Sequence, residues 1–156
     1  MLDDGRPGLF SVGCAGQIAQ CEETEDGRLL IALKGVCRFR IARELAVTTP
    51  YRQVQADYAP YVQDRMPAAP RPSTLRGELL DQLVQYLEAR TLKADWDSIH
   101  NADDEMLVSA ICMLCPFGET EKQALLEAAS LPERTEAVIL LMRFAAGETG
   151  PTDVRH

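Results

Sequence analysis

Two cysteines, Cys112 and Cys115, stand in a C-x-x-C pattern, the spacing of redox-active thiol pairs and of many zinc sites. A thioredoxin-type pair follows a strand and opens an exposed helix, whereas this pair lies inside an apolar run with helical spacing. A zinc site needs two further ligands, and Cys14, Cys21 and Cys37 are spaced as strand residues. We therefore expect the five cysteines to be reduced and buried, acting as small apolar side chains.

Residues that could serve as a nucleophile or a base are few. Of the two histidines, His156 ends the chain and His100 stands alone among the central residues. No serine lies in G-x-S-x-G, and no G-x-x-x-x-G-K-[ST] phosphate loop occurs. The acidic runs Glu22 to Asp26 and Asp103 to Glu105 could bind a divalent cation, but a hairpin tip and a helix N-terminus explain them. We expect no catalytic residue, cofactor or metal.

The alternative is a small hydrolase or metal-dependent enzyme whose site residues are dispersed along the chain. That alternative requires a buried constellation of His100 with acids or cysteines, because catalytic groups act only when they are held close together.

Charge is distributed unevenly along the 156 residues, whose formal net charge is −8. Residues 1–68 carry 9 acids and 8 bases, whereas residues 69–156 carry 15 acids and 8 bases. Such an acidic half disfavours a nucleic acid partner, because phosphates bind clustered lysines and arginines. No apolar run approaches the ~20 residues of a membrane span, and the first residues lack a signal-peptide pattern. We expect a cytoplasmic protein that binds no membrane.

The first half has the pattern of antiparallel strands. Gln17 to Cys21 and Arg28 to Leu33 flank an Asp-Gly turn, which predicts a hairpin. Gly35 is expected to break the pairing as a tight turn or bulge, before a third strand over Cys37 to Ile41. Tyr51 to Tyr58 is predicted as a fourth strand. The arginines are expected on a solvated strand face: Arg38, Arg40, Arg43 and Arg52.

The second half has helical periodicity. Three prolines over residues 67–72 predict a linker between a β module at residues 1–66 and a helical bundle at residues 73–146, with a tail at residues 147–156. Ser73 or Thr74, Thr120 (with Gln123) and Ser130 (with Glu133) are predicted helix caps. The core is expected to include Leu125, Leu126, Val138, Leu141 and Phe144. Strands segregated before helices predict an α+β fold.

Two ordered segments carry a family resemblance. The first is Gly13-Cys14-Ala15-Gly16-Gln17-Ile18, then Glu22-Glu23, Asp26-Gly27-Arg28 and Leu33 to Ile41. The second is Pro116-Phe117, then Glu121-Lys122-Gln123-Ala124-Leu125-Leu126-Glu127, and Arg134 seven residues later. Together they resemble the Lon N-terminal (substrate-binding) domain family over residues 8–146. The resemblance implies a PUA-like, barrel-like β module followed by a helical bundle.

The same resemblance implies a non-catalytic module that recognises unfolded or client polypeptides in protein quality control. Full-length Lon proteases add an ATPase module and a Ser-Lys protease module, and nothing in this chain resembles either. The expected mechanism is contact with shallow apolar grooves plus strand addition at a free sheet edge. The candidate polypeptide-binding residues are Ile18, Leu30, Phe39, Tyr51 and Tyr58. Trp96 is expected to pack in the core or at the boundary between the two halves.

The family usually opens with an apolar strand of the Pro-Leu-Phe-Pro-Leu kind, and Met1 stands only about a dozen residues before the first matching segment. We therefore expect the barrel to lack its first strands, as in a fragment or a naturally short form, and to leave a sheet edge uncovered. Open edges recruit strands, so we expect a homodimer through the β half or weak association with other proteins there.

Overall fold

The computed structural model describes residues 7–66 and 74–147, and the chain divides into two compact units, Met1–Ala69 and Pro70–His156. The first unit contains the strands β1 (Val12–Glu23), β2 (Leu29–Leu45) and β3 (Gln53–Asp57), then a 3-10 helix (Ala59–Arg65). The second contains the helices α1 (Arg76–Ala89), α2 (Trp96–Asn101), α3 (Asp104–Leu114), α4 (Glu119–Glu127) and α5 (Leu131–Gly147). Strands precede helices, so the predicted α+β class is confirmed. The predicted linker at residues 67–72 lies outside the described residues.

The three strands form one antiparallel sheet in the order β1-β2-β3. The Asp-Gly turn joins β1 to β2 as predicted, with the Gly27 N–H donating to the Thr24 carbonyl at 2.9 Å. Gly27 has φ 77°, a left-handed conformation that glycine adopts without a Cβ penalty. The hairpin prediction is therefore confirmed.

Strand β2 is continuous where the sequence suggested two separate strands. Ala15 pairs with Cys37 and Gly16 pairs with Gly35, so Val36 is an extra residue in a β-bulge. A second bulge lies at Ala19, because Ile18 pairs with Leu33 and Gln20 with Ala32. The bulge predicted near Gly35 is present, but the ladder resumes after it.

Strand β3 is shorter than predicted. Tyr51 lies in the loop before it, and Tyr58 is the residue that precedes the 3-10 helix. Pro60 stands in the first turn of that helix, where its missing N–H does no harm, and it cannot contribute a donor to a strand ladder.

Arg38 is buried, which corrects the prediction that it lies on a solvated face. Its side chain is 8% exposed, with Nε 2.8 Å from Asp64 Oδ2 and Nη2 2.8 Å from Asp64 Oδ1. Its backbone N–H also donates to Asp64 Oδ2, and its guanidinium lies 4.6 Å from the Tyr61 ring centroid. These contacts attach the 3-10 helix to the middle of β2.

Arg52 forms an ion pair with Glu44, so the first unit presents much less basic surface than the sequence suggests.

The core of the second unit is formed by apolar side chains from several helices. Its fully buried members lie on α1, α3, α4 and α5: Leu79, Tyr86, Val108, Leu125, Val138 and Met142. Trp96 and Ile99 of α2 pack against this cluster as partly buried side chains. The core prediction is correct for Leu125 and Val138 and wrong for Phe144, which is exposed. Two residues after Met142, Phe144 is turned about 200° around the helix from that buried residue.

The helix caps follow the prediction only in part. Ser130 caps α5, because the Glu133 N–H donates to Ser130 Oγ at 3.3 Å. Thr120 does not cap α4, because that helix begins two residues earlier than predicted, with Gly118 as its N-cap. The Gly118 N–H donates to Glu121 Oε2 at 2.6 Å, so the glutamate satisfies the donor from within the helix. Helix α1 has Leu75 as its N-cap without a side-chain cap, so Thr74 is not one, and Ser73 lies outside the described residues.

Within residues 7–66 and 74–147, no helix is long and apolar enough to cross a membrane.

Candidate functional site

One face of the β1–β2 hairpin is apolar and exposed. Residues directly opposite each other across a strand pair share a face, as do residues two apart along one strand. The register places Ile18 opposite Leu33 and Cys21 opposite Ile31. The shared face, called here the apolar hairpin face, therefore contains five apolar side chains: Ile18, Cys21, Leu29, Ile31 and Leu33. The charged Glu23, opposite Leu29, borders them at the turn end. All five side chains are exposed, Leu33 by 64%.

The opposite face of the hairpin is largely polar. Here Glu22 pairs with Leu30, Gln20 with Ala32 and Gln17 with Lys34. Leu30 is the one large apolar side chain in this set and is as exposed as Ile18, at 61% each. Two of the predicted binding residues, Ile18 and Leu30, thus lie on opposite faces of one hairpin.

Strand β1 is an edge strand of the sheet, and no other described strand lies against its outer side. Its sequence contains no lysine, arginine or proline, the residues with which proteins commonly blunt an edge. Its only charges are Glu22 and Glu23 at one end. An extended polypeptide could therefore pair with β1 while its alternate side chains contact the apolar hairpin face.

Phe39 and Tyr58 come together at the base of the hairpin. Their ring centroids are 5.8 Å apart, with the planes tilted by 58°, a common geometry for an aromatic pair. Gly13 lies opposite Phe39, and a Cβ built on it would lie 2.8 Å from Phe39 Cζ. The ring therefore occupies the space that a side chain at position 13 would need, which explains the glycine.

Tyr51 lies apart from these residues, in the loop between β2 and β3. That loop, residues 46–52, lines an open cavity of about 560 Å³ together with Glu44 and Leu45 at the end of β2. Tyr51 is exposed there, and Thr49 Oγ1 donates to its backbone carbonyl at 2.8 Å. The five candidates thus occupy three places in the first unit: the hairpin, its aromatic base and this loop.

Sequence reasoning did not select Leu29, Ile31 and Leu33 as binding residues. Their alternation along β2 is the signal that would have found them, since residues two apart share a face. The bulge at Ala19 explains why the β1 members were harder to assign. Ile18 and Cys21 are three residues apart, so regular alternation along β1 would place their side chains on opposite faces. The extra residue at Ala19 brings both side chains onto the same face.

Residues 2–143 match the family model described as the ATP-dependent protease La (LON) substrate-binding domain. The chain belongs to this family. A solved structure, the N terminal domain of Mycobacterium avium complex Lon protease, is similar over 92% of this chain and 74% of its own length. Its TM-score is 0.58 at 19% sequence identity, so the likeness shows the fold. Comparison with curated proteins finds no match.

The helical signature of this LON domain has a structural explanation. Arg134 Nε donates to the Leu125 carbonyl at 3.0 Å, where the C-terminal carbonyls of α4 lack helical partners. Lys122 Nζ donates to the Met113 carbonyl at 3.2 Å and so joins the last turn of α3 to α4. Arg134 and Lys122, which both belong to the matching segment, therefore connect neighbouring helices through hydrogen bonds.

Three of the five cysteines of this LON domain, Cys37, Cys112 and Cys115, are not placed for thiolate chemistry. Burial raises the pKa of the Cys115 thiol to about 11 and also raises the pKa of Cys112 and Cys37. At neutral pH these three groups are therefore protonated and poorly nucleophilic. The expectation of burial is correct for Cys37 and Cys115 and wrong for Cys14 and Cys21, which are exposed.

His100 does not form the buried constellation that an enzyme would require. It is exposed in the last turn of α2, and its Nδ1 lies 2.6 Å from the Trp96 carbonyl oxygen. No group of three or more histidine, cysteine or acidic side chains in the described part of the chain could hold a metal ion. Asp95 and Asp103 instead accept backbone N–H bonds as the N-caps of α2 and α3.

Proposed function

We propose that this LON domain is a non-catalytic recognition module that holds exposed apolar segments of unfolded or client polypeptides. The observation that carries the proposal is the apolar hairpin face, on which five neighbouring side chains are exposed. Burying one leucine, isoleucine or phenylalanine contributes about 1.5–3 kcal/mol, so an apolar segment that covers this face gains substantial free energy.

The first step of the proposed binding is strand addition. A client segment in extended conformation pairs with the outer side of β1, and its backbone supplies the hydrogen bonds without regard to sequence. Alternate client side chains then lie on the same side of the sheet as Ile18 and Cys21 and next to them, which selects for apolar residues at every second position. This combination suits a module that must accept many different clients.

Aromatic side chains offer contacts apart from the apolar hairpin face, because the register puts Phe39, opposite Gly13, on the same side of the sheet as Leu30. Phe39 and Tyr58 offer ring faces at the base of the hairpin, and Tyr51 offers a third ring in the neighbouring loop. Residues 7–66 carry seven acidic and seven basic side chains, so a client of either charge meets little net repulsion.

The proposed biological setting is protein quality control in the cytoplasm, with unfolded proteins as partners and without nucleic acid, membrane or cofactor. A second copy of the chain is a competing partner, because it would use the same strand edge and apolar face. Client binding is therefore expected to dissociate any such dimer.

The test compares two leucine variants on opposite faces of β2. Leu33→Asp changes the apolar hairpin face, and Leu30→Asp makes the same change on the polar face at nearly the same exposure, 61% against 64%. Binding of a fluorescently labelled, reduced and alkylated unfolded protein is measured by anisotropy. We expect Leu33→Asp to weaken binding about tenfold or more, the equivalent of one buried leucine, and Leu30→Asp to weaken it much less.

An equal loss of binding affinity in the two variants would show that clients do not bind the apolar hairpin face and are attracted only by non-specific apolar contact. Unaltered circular dichroism spectra of both variants serve as the folding control. Turnover of ATP or casein by the purified chain, abolished by one substitution, would contradict the non-catalytic assignment and favour an enzyme with dispersed residues.

A further inference from the structure

The second unit contains an apolar groove that the proposed function does not use. It has a volume of about 490 Å³ and lies between the C-terminal half of α1, the α1–α2 connection, α2 and one face of α3. Buried Leu83, Leu107 and Ile111 line it. Three exposed apolar side chains also line it: Leu92, Met106 and Leu114, the last of which is 82% exposed.

The groove runs along helix α3. Its α3 members are Met106, Leu107, Ala110, Ile111 and Leu114, which recur every three or four residues and so form one stripe. This stripe extends about 12 Å along the axis of α3, which is slightly more than two turns. An amphipathic helix presents apolar anchors with the same spacing, at i, i+3 or i+4, and i+7. An extended segment would find no strand edge here, since the described elements around the groove are all helical.

The chain around the groove is strongly acidic. Between Leu92 and Cys115 there are five carboxylates and a single lysine, and of these Lys93 and Asp95 line the groove itself while the other carboxylates flank it in sequence. Over residues 74–147 thirteen acidic side chains stand against six basic ones. The acidic members nearest the groove in sequence are Asp95, Asp97, Asp103, Asp104 and Glu105. Asp104 pairs with Arg76 at 2.6 Å, and the net charge of the segment stays negative.

We propose that this groove binds an amphipathic helix with a basic polar face, supplied by a partner protein. Apolar residues of the partner helix fill the space between Leu83, Ile111 and Leu114, and its lysines or arginines lie over the acidic segment. Charge complementarity of this kind accelerates association and selects against acidic helices. A small apolar ligand would leave Met106 and Leu114 in water, whereas a helix covers both.

This inference does not depend on the proposed function, because its residues belong to the second unit and those of the apolar hairpin face to the first. Variants of Leu33 therefore serve as an internal control. They should leave helix binding at the groove unchanged.

The test uses the full chain and a labelled 16-residue peptide with leucines at helical spacing and lysines elsewhere. Met106→Lys introduces a charge on the groove, and Met113→Lys introduces the same charge on the same helix at a residue that does not line it. The two methionines are 62% and 70% exposed, so neither substitution disturbs the core. We expect Met106→Lys to weaken binding about tenfold or more and Met113→Lys to change it less than about threefold.

Leu114→Lys provides a second groove variant and should reproduce the loss. Trp96, the only tryptophan in the chain, lies in α2 beside the groove residues Asp95 and Ser98, so its fluorescence should change on peptide binding. A peptide with glutamates in place of the lysines should bind at least about tenfold more weakly at low salt.

Three outcomes would overturn the proposal. Equal binding of the lysine and glutamate peptides would show that charge complementarity does not select the partner helix. Equal losses in Met106→Lys and Met113→Lys would place the peptide elsewhere. Binding of an apolar dye that Met106→Lys abolishes, with no binding of either peptide, would assign the groove to a small apolar ligand.

Discussion

Ser130 stabilises the first turn of α5 through its hydroxyl oxygen, which accepts the Glu133 N–H. Replacing it by alanine leaves that donor without its partner, so we expect Ser130→Ala to cost about 0.5–2 kcal/mol of unfolding free energy. Thr120→Ala is the matched control and should change stability by less than about 0.5 kcal/mol, because Thr120 is exposed and caps nothing. Urea denaturation followed by circular dichroism measures both. A larger loss in Thr120→Ala would mean that the start of α4 is wrongly assigned.

Cys115 makes stability depend on pH in the alkaline range. Burial raises the pKa of its thiol to about 11 from the usual 9.0. Between these two values the folded chain retains a proton that the unfolded chain has lost, so stability falls as pH rises. The contribution is complete below pH 9 and disappears as the pH approaches 11. We therefore expect the unfolding free energy of the wild type to decrease between pH 8.5 and 10.5, and to decrease less steeply in Cys115→Ala.

Cys21→Ala is the control for that measurement, because it removes a thiol that is exposed and lies outside the buried core. Some slope should persist in Cys115→Ala, since burial also raises the pKa of Cys37, Cys112 and Tyr86. Identical slopes for the wild type and Cys115→Ala would show that the buried thiol does not contribute.

At the scale of elements, the Arg38–Asp64 pair joins β2 to the 3-10 helix. The side chains are 8% and 19% exposed, so removing the carboxylate leaves a buried guanidinium charge without its ion-pair partner. We expect Asp64→Ala to cost about 3 kcal/mol, the low end for a buried pair because Asp64 keeps some contact with water. The double variant Arg38→Met with Asp64→Leu should recover part of this loss, since it removes both charges. A double variant less stable than Asp64→Ala, measured by urea denaturation, would contradict this account.

The strands and helices can be predicted from local sequence patterns, but the residues at which they begin and end cannot. Period-two alternation and the Asp-Gly turn are sufficient to predict the hairpin, and helical spacing is sufficient for α1 and α5. The bulge at Val36 keeps β2 continuous, and that outcome depends on which β1 residues pair across it. Likewise, α4 begins at Glu119 because the Glu121 carboxylate reaches the Gly118 N–H, an alternative to the Thr120 cap that spacing alone does not distinguish.

At the scale of the whole molecule, the two units are built differently. The second buries twelve apolar residues in one cluster. In the first, the described residues bury three (Val12, Cys37 and Tyr61) and leave many large apolar side chains exposed. The sequence resemblance was sufficient to predict the family and the fold class. It could not predict the apolar hairpin face, because two bulges decide which side chains share a face, and a bulge depends on long-range pairing.

The exposed apolar surface and the outer side of β1, against which no described strand lies, together favour self-association through the first unit. Over residues 7–66 the net charge is zero, so two copies meet there without repulsion, whereas residues 74–147 carry a net charge of −7. A two-fold axis brings the same patch of each copy together, so a contact through the acidic unit would oppose like charges. We therefore expect a dimer that pairs β1 with β1 of the second copy and leaves the acidic unit outside.

Sedimentation velocity over a wide concentration range is the measurement for this dimer. The wild type should shift from monomer to dimer as concentration rises, and Leu33→Lys should shift the transition to at least about tenfold higher concentration, because a charge on the apolar hairpin face must be desolvated. Leu30→Lys, which carries the same charge on the opposite face, should stay close to the wild type. Met106→Lys in the second unit should also have no effect, and raised salt should not weaken the dimer, since apolar burial and backbone hydrogen bonds hold it. A wild type that remains strictly monomeric and binds no apolar dye would show that the edge of β1 is covered in solution.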